Sequence, residues 1–151
     1  MFFEFEADFV DSLRCIPMVV RLKLDTCGVK LKLAEWNHFT QSECDELVNL
    51  PCEESAEVDA YRDYLRKLIF QHTGNAPSLL KVDPHPAWLN DRDIPSTIQI
   101  KAAEYGVTIT QSQWANLTPL QRFATIKLTR SSHENNNFLP ALQEFGLIES
   151  A

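Results

Sequence analysis

Apolar residues recur at helical spacing in two separate parts of the chain. Between Pro17 and Gly28, and again between Pro95 and Gly106, they fall every three or four residues, as on the buried side of an α-helix. The two inward stripes are Val20, Leu24 and Cys27, and Ile98, Ala102 and Tyr105. Proline suits the first position of a helix, and glycine readily takes the left-handed conformation that ends one. The pattern predicts one helix in each segment, opened by the proline and closed by the glycine.

Two capping boxes mark the starts of further helices. In each, a threonine is followed three residues later by Glu or Gln; the two motifs are Thr40-x-x-Glu43 and Thr118-x-x-Gln121. The threonine hydroxyl and the returning side chain satisfy backbone amides that have no partner at a helix start. These motifs predict helices near residues 41–50 and 119–130.

The longest predicted helix runs over about 56–73, opened by Ser55 and closed by Gly74. Its apolar residues share one face, which we expect to be buried: Val58, Tyr61, Leu65, Leu68 and Ile69. The opposite face is charged, and we interpret it as solvated. A weaker helix is predicted over 137–145, ended by Gly146.

Three segments alternate between apolar and polar residues with the period of a β-strand: 3–9, 29–33 and 107–110. We therefore expect one or two very short strands beside the helices. Two pairings fit the pattern. In one the acidic first segment lies beside the basic second segment, and in the other the second segment pairs with the third.

The chain matches itself at an offset of 78 residues. Residues 16–43 align without a gap to residues 94–121, with seven identities in 28 positions. Trp36 and Trp114 are one of the identical pairs, and we expect them to occupy equivalent buried positions. The pattern predicts a mainly α fold of two tandem copies of a short-helix repeat, related by a pseudo-twofold axis.

The two copies are expected to form a single domain over residues 1–151. The repeats lie at about 11–74 and 90–147, and a proline-rich connector lies at about 75–94. Because proline fixes φ and donates no amide hydrogen bond, the connector is expected to be extended. Its expected anchors in the core are Leu79, Leu80 and Trp88.

The charge balance argues against two classes of partner. Twenty-one Asp and Glu against fourteen Lys and Arg give a formal charge of -7, which opposes binding to nucleic acid or to anionic membranes. No apolar run approaches the ~20 residues of a membrane helix, and the N-terminus is acidic where a signal peptide is basic. We therefore expect a cytoplasmic protein with no nucleic-acid or membrane partner.

The cysteines are the main candidates for reactive chemistry. None of the four forms a C-x-x-C pair, so we interpret them as reduced thiols without a disulfide or a metal. The thiol candidates are Cys15, Cys27 and Cys52. The sequence contains no calcium loop, metalloprotease motif, phosphate-binding loop or dinucleotide fingerprint. It therefore predicts no catalytic residue, no metal site, no cofactor and no small-molecule substrate.

Four side chains are candidates for partner binding. Arg14, Arg21 and Lys23 lie close together in an otherwise acidic chain, and arginine is enriched at interface hot spots. His85, held between two prolines of the connector, is the fourth. The alternatives are a solvated helix pair for Arg21 and a plain structural linker around His85.

Residues 5–18 read FEADFVDSLRCIPM and residues 23–28 read KLDTCG. These strings resemble the cyanobacterial nitrate reductase-associated protein family, and the likeness continues more loosely into the second half. The resemblance implies a non-catalytic accessory protein that binds nitrate reductase, or another molybdenum-cofactor protein, and supports assembly, maturation or activity of the assimilatory reductase. An alternative is a cysteine-based metal or sulfur carrier for cofactor assembly. A third is a purely structural or regulatory protein.

Overall fold

The computed structural model describes residues 2–7, 16–130 and 137–148. The chain divides into two compact units: the first ends at Asp83, and the second begins at Pro84 and also includes residues 3–6. The described residues are mainly helical, with eight α-helices and no β-strand. The prediction of a mainly α fold is therefore confirmed.

Four helices form the first unit: α1 (Met18–Cys27), α2 (Leu33–His38), α3 (Gln41–Asn49) and α4 (Ser55–Thr73). Helix α1 packs against α3 and α4, and α2 packs against α4. Their apolar side chains share one core, which includes Val20, Trp36, Leu47, Leu65 and Ile69. The predicted inward face of α4 is confirmed, with Val58 only partly buried.

The second unit contains α5 (Ser96–Glu104), α6 (Gln111–Asn116), α7 (Pro119–Leu128) and α8 (Phe138–Glu144), with 3₁₀ turns at Glu4–Glu6 and Ala87–Leu89. Helix α7 packs against α5, α8 and the Ala87–Leu89 turn. The rings of Trp88 and Phe123 meet edge to face, 5.0 Å apart. The buried Arg122 donates to the Trp88 carbonyl at 3.0 Å and to the Leu117 carbonyl at 2.9 Å. Trp88 therefore anchors this part of the connector, as predicted.

Both predicted capping boxes are confirmed. Thr40 Oγ1 accepts a hydrogen bond from the Glu43 amide at 3.2 Å, and Glu43 Oε1 accepts one from the Thr40 amide at 2.8 Å. Thr118 and Gln121 make the same two bonds at 3.1 and 2.9 Å. Local hydrogen bonding alone therefore determines where α3 and α7 begin.

Three predicted helix starts are wrong by one residue. Pro17 and Pro95 precede their helices instead of opening them, because their ψ angles of 150° and 137° are extended. Ser55 is already the first residue of α4, and Glu54 takes the position before it. Glu57 Oε1 accepts from the Glu54 amide at 2.9 Å, so the carboxylate of Glu57 satisfies the start of this helix.

The predicted strands are wrong. Glu4–Glu6 forms a 3₁₀ turn, and residues 8 and 9 lie outside the described residues. In the second segment Val29 makes one isolated antiparallel bridge with Leu79, and Leu33 already begins α2. Residues 107–109 link two helices without a ladder. A short extended link between helices also buries alternate side chains, so the period-two pattern does not require a strand.

Two predicted burial assignments are also wrong. The connector backbone is held by bonds from the Lys30 amide to the Ser78 carbonyl and from the Leu80 amide to the Gly28 carbonyl. The side chain of Leu79 is nevertheless 63% exposed and that of Leu80 37%, so backbone bonds, and not leucine anchors, hold this segment. Tyr105 is 43% exposed because α5 ends at Glu104, before the stripe reaches it.

Helix positions recur at the offset seen in the sequence. Helices α5, α6 and α7 begin 78 residues after α1, α2 and α3, respectively. Trp36 and Trp114 are both buried, as expected. Whether the two chain paths superpose about a pseudo-twofold axis stays a prediction. The indole hydrogen bonds differ: Trp114 Nε1 donates to the Asn90 carbonyl at 2.8 Å, whereas Trp36 Nε1 has no partner among the described residues.

Gly28 provides a sharp test of the connector's position. Its φ is +77°, and a Cβ atom there would lie 2.8 Å from Val82 Cγ2 and 3.0 Å from the Leu80 carbonyl oxygen. We expect Gly28→Ala to lower the free energy of unfolding by about 2–4 kcal/mol, through left-handed strain and the clash together. Gly74→Ala is the matched control in the same unit, because its φ is +75° and the added Cβ meets nothing within 4 Å. It should cost only about 1 kcal/mol. Urea unfolding measures both, and equal losses would contradict the packing described here.

The two tryptophans provide a second matched pair. Replacing either by Phe removes similar volume from a core, but Trp114→Phe also leaves the Asn90 carbonyl without its donor. We expect Trp114→Phe to destabilise the protein by about 1 kcal/mol more than Trp36→Phe. The comparison uses urea unfolding of the two variants under identical conditions. A larger loss for Trp36→Phe would show that its indole has a partner that the described residues do not include.

Candidate functional site

Two cysteines meet at the carboxyl end of α1. Cys27 is the last residue of that helix, and Cys52 lies in the loop between α3 and α4. Cys27 Sγ lies 3.7 Å from the Leu24 carbonyl oxygen and Cys52 Sγ lies 3.8 Å from the Lys23 carbonyl oxygen. The two carbonyls belong to consecutive residues, each thiol shifts the pKa of the other, and both residues are buried. Two of the three predicted thiol candidates thus form a buried pair.

Two cations lie beside this thiol pair. The ammonium of Lys23 donates to the Val48 carbonyl at 2.6 Å and to the Leu50 carbonyl at 2.7 Å. Lys23 Nζ also lies 5.8 Å from the centre of the Tyr61 ring. The guanidinium of Arg62 donates from Nε to the Cys27 carbonyl at 2.8 Å. Lys23 therefore fixes the end of α3, while Arg62 ties α4 to the end of α1.

The surroundings of the three described cysteines shift their pKa values in different directions. The neighbouring Cys52 thiol lowers the pKa of Cys27 below its ordinary value, and the positive charge of Arg62 acts in the same direction. The Cys27 thiol in turn raises the pKa of Cys52, and burial raises it further. Cys44 has no thiol partner among the described residues, and burial together with nearby Asp45 and Glu43 raises its pKa to about 11. Among these three thiols, Cys27 is the one that the structure favours as a thiolate.

An exposed groove lies at the carboxyl end of α4. It has a volume of about 510 Å³ and is lined by Arg66, Lys67, Phe70, Gln71, Ala76 and Pro77. The Phe70 side chain is 60% exposed. Neither Arg66 nor Lys67 makes an ion pair within the part of the chain that the structure describes. The groove thus combines an uncovered aromatic ring with two cations and no carboxylate.

The predicted partner-binding residues that the structure describes differ in their surroundings. Arg21 is half-buried on α1, with Nη1 3.9 Å from Met18 Sδ. Lys23 is occupied by the two carbonyls at the end of α3. His85 is exposed and belongs to the second unit. Arg14, like the thiol candidate Cys15, lies outside the described residues.

The sequence interpretation missed that α4 contributes residues both to the surroundings of the thiol pair and to the groove. Arg62 and Arg66 belong to the face that we interpreted as solvated, and Phe70 was assigned to neither face. One signal was available: Phe70 lies off the apolar stripe of Leu68 and Ile69, so helical spacing puts a large aromatic ring on the charged face. The proximity of Arg62 to Cys27 has no such signal, because it depends on how α1 and α4 cross.

Among the described residues, no group of three or more His, Cys, Asp or Glu side chains is arranged to hold a metal ion. The described helices also include none that is both long and apolar enough to cross a membrane.

The fold and the two sites define a mainly helical protein with a buried thiol pair and a basic, aromatic groove. Residues 2–145 match the family model of the conserved nitrate reductase-associated protein, and the chain belongs to this family. The family description associates its members with nitrate reductase. No curated protein and no solved structure matches the chain.

Lys23 provides the test of the local architecture around the thiols. Lys23→Met keeps the aliphatic stem but removes the donor to two carbonyls, so we expect it to lower the free energy of unfolding by about 2 kcal/mol. Lys81→Met is the control, because Lys81 is exposed and its replacement should change stability by less than about 0.5 kcal/mol. Urea unfolding of the two variants gives the comparison. A Lys23→Met protein as stable as the control would mean that the ammonium does not hold the end of α3.

Proposed function

We propose that this chain is a non-catalytic accessory protein that binds nitrate reductase, or another molybdenum-cofactor protein, through the groove on α4. In this role it supports assembly, maturation or activity of the assimilatory reductase in the cytoplasm, in the manner of a chaperone. Membership of the nitrate reductase-associated family supports the choice of partner. The observation that carries the choice of surface is the exposed Phe70 ring in one groove with Arg66 and Lys67, which make no ion pair among the described residues.

The chemistry of the groove matches that of interface hot spots, which are rich in arginine and aromatic side chains. Covering the Phe70 ring on binding contributes about 1–2 kcal/mol, because 60% of its surface is in water in the free protein. Arg66 and Lys67 require a partner segment that carries carboxylates beside an apolar side chain. Because the whole chain has a charge of -7, an acidic segment is repelled by the chain as a whole and attracted at this groove.

The residues that the sequence analysis selected for partner binding have different roles in this proposal. Arg14, Arg21 and His85 remain candidates for a wider contact surface. Lys23 has a supporting role, because its ammonium is already bonded to Val48 and Leu50.

A carrier of metal or sulfur is the second candidate function, and the pairing of Cys27 with Cys52 is the observation that favours it. Two buried thiolates are soft ligands, but a stable zinc site needs further ligands of that kind. Metal and sulfide analysis of the purified protein separates this function from the accessory function. Stoichiometric metal or sulfane sulfur that survives dialysis would favour the carrier.

The groove is tested by a double variant, Arg66→Glu with Phe70→Ala. We expect it to fold normally, because both side chains are exposed, and to bind purified nitrate reductase about tenfold or more weakly. We also expect it to restore little reductase activity to a host that lacks this gene. Calorimetric titration measures the binding, and nitrite production measures the rescue.

The matched control for this experiment is Arg92→Glu with Ile100→Ala in the second unit. It makes the same charge change and removes a side chain that is 64% exposed, close to the exposure of Phe70. We expect this control to bind and to rescue like the unmodified protein. Full rescue by a folded groove variant would reject the groove as the binding surface.

A further inference from the structure

The pair formed by Cys27 and Cys52 differs from an ordinary buried cysteine. Twenty-four residues separate the two in the chain, yet both sulfur atoms lie against carbonyl oxygens of the consecutive residues Lys23 and Leu24. Most buried thiols fill apolar space as small hydrophobic groups, and Cys44 does so in the same core. The Cys27–Cys52 pair also has the Arg62 guanidinium bonded to the Cys27 carbonyl. Packing alone requires neither the second thiol nor the cation.

We propose that Cys27 and Cys52 form a reversible dithiol–disulfide pair, a modification site at which oxidation by a small peroxide joins the end of α1 to the loop between α3 and α4. This inference does not depend on the proposed function, because it concerns only the chemistry of the two thiols.

Cys27 is the nucleophile of the pair. A thiolate and not a thiol attacks an oxidant, and positive charge nearby favours the thiolate. The neighbouring Cys52 thiol and the Arg62 charge both stabilise the ionised form of Cys27 and hold its pKa below the usual value. Cys52 keeps its proton under the same conditions, so the two residues have different roles.

The reaction consumes one peroxide and two thiols. The Cys27 thiolate attacks one peroxide oxygen, the O–O bond breaks, and the hydroxide that leaves takes up a proton to become water. Cys27 is then a sulfenic acid. The Cys52 sulfur attacks the Cys27 sulfur, the S–O bond breaks, and the hydroxyl group leaves as water with the proton of Cys52. The two thiols lose two electrons and two protons in total, and the peroxide is reduced to two water molecules.

Access to the pair is through the loop that carries Cys52. The neighbouring residues Pro51, Glu53 and Glu54 are exposed, and the loop has no helical hydrogen bonding between α3 and α4. Segments of this kind open locally at a smaller free-energy cost than helices in the core. A small peroxide therefore reaches the pair without unfolding of the unit.

The direct test treats the full chain with hydrogen peroxide and locates the products by peptide mapping without reduction. We expect a Cys27–Cys52 cross-link, loss of two free thiols, and complete recovery of both with dithiothreitol. Cys44→Ser is the matched control, because it removes a buried thiol of the same core and should leave the cross-link unchanged. In Cys52→Ser we expect no cross-link, and a sulfenic acid at Cys27 that dimedone labels.

A second measurement addresses the positioning role of Arg62. We expect Arg62→Gln to lower the rate constant of dimedone labelling in the Cys52→Ser background several-fold, and Arg62→Lys to restore most of it. Arg92→Gln, at an exposed arginine of the second unit, should leave the rate unchanged.

Three results would overturn the proposal. In the first, Cys27 and Cys52 remain thiols while Cys15 or Cys44 is oxidised. In the second, the cross-link joins any other pair, and in the third, oxidation ends in a sulfinic acid that dithiothreitol does not reverse. If Cys52→Ser does not fold, the peptide map of the unmodified chain and of Cys44→Ser decides the question by itself.

Discussion

The position of the Lys23 ammonium determines how the first unit is put together. Lys23 lies in the middle of α1, and its ammonium donates to the Val48 and Leu50 carbonyls, which the end of a helix leaves without amide partners. This contact fixes where α3 stops, and so where the following loop places Cys52. The loop in turn sets the start of α4, from which Arg62 reaches back to the Cys27 carbonyl at 2.8 Å. Burial lowers the pKa of Lys23, which is the electrostatic cost of this arrangement.

Helix α4 links the core of the first unit to its surface. Its stripe of Leu65, Leu68 and Ile69 is buried against the other helices, and this holds the opposite face in a fixed orientation. Phe70 and Arg66 lie on that opposite face and line the groove together with the start of the connector. A rigid scaffold beneath an exposed ring lowers the entropy lost on binding, which suits a surface for protein recognition. Arg62, which bonds to the Cys27 carbonyl beside the thiol pair, lies four residues before Arg66 on the same helix.

The parts of the fold that depend on neighbours in the chain could be predicted from the sequence, and the parts that depend on distant contacts could not. The Thr40 and Thr118 boxes gave two helix starts because the bonds span only three residues. The strand prediction for residues 29–33 was wrong because the Val29 amide bonds to the Leu24 carbonyl, and only its neighbours Gly28 and Lys30 bond to the connector. Cys27 and Cys52 were chosen individually as reactive candidates, but their pairing depends on the crossing of α1 with the loop after α3. The groove was missed because charge on a helix face usually indicates solvation, and only Phe70 signalled otherwise.

The central claim is that the groove on α4 is the surface that nitrate reductase covers. Hydrogen–deuterium exchange of this chain, with and without purified nitrate reductase, tests it most directly. The account predicts slower exchange over residues 66–77 in the complex, where α4 ends and the connector begins, and little change in α5 and α6. Absence of binding, or slower exchange confined to other parts of the chain, would contradict it.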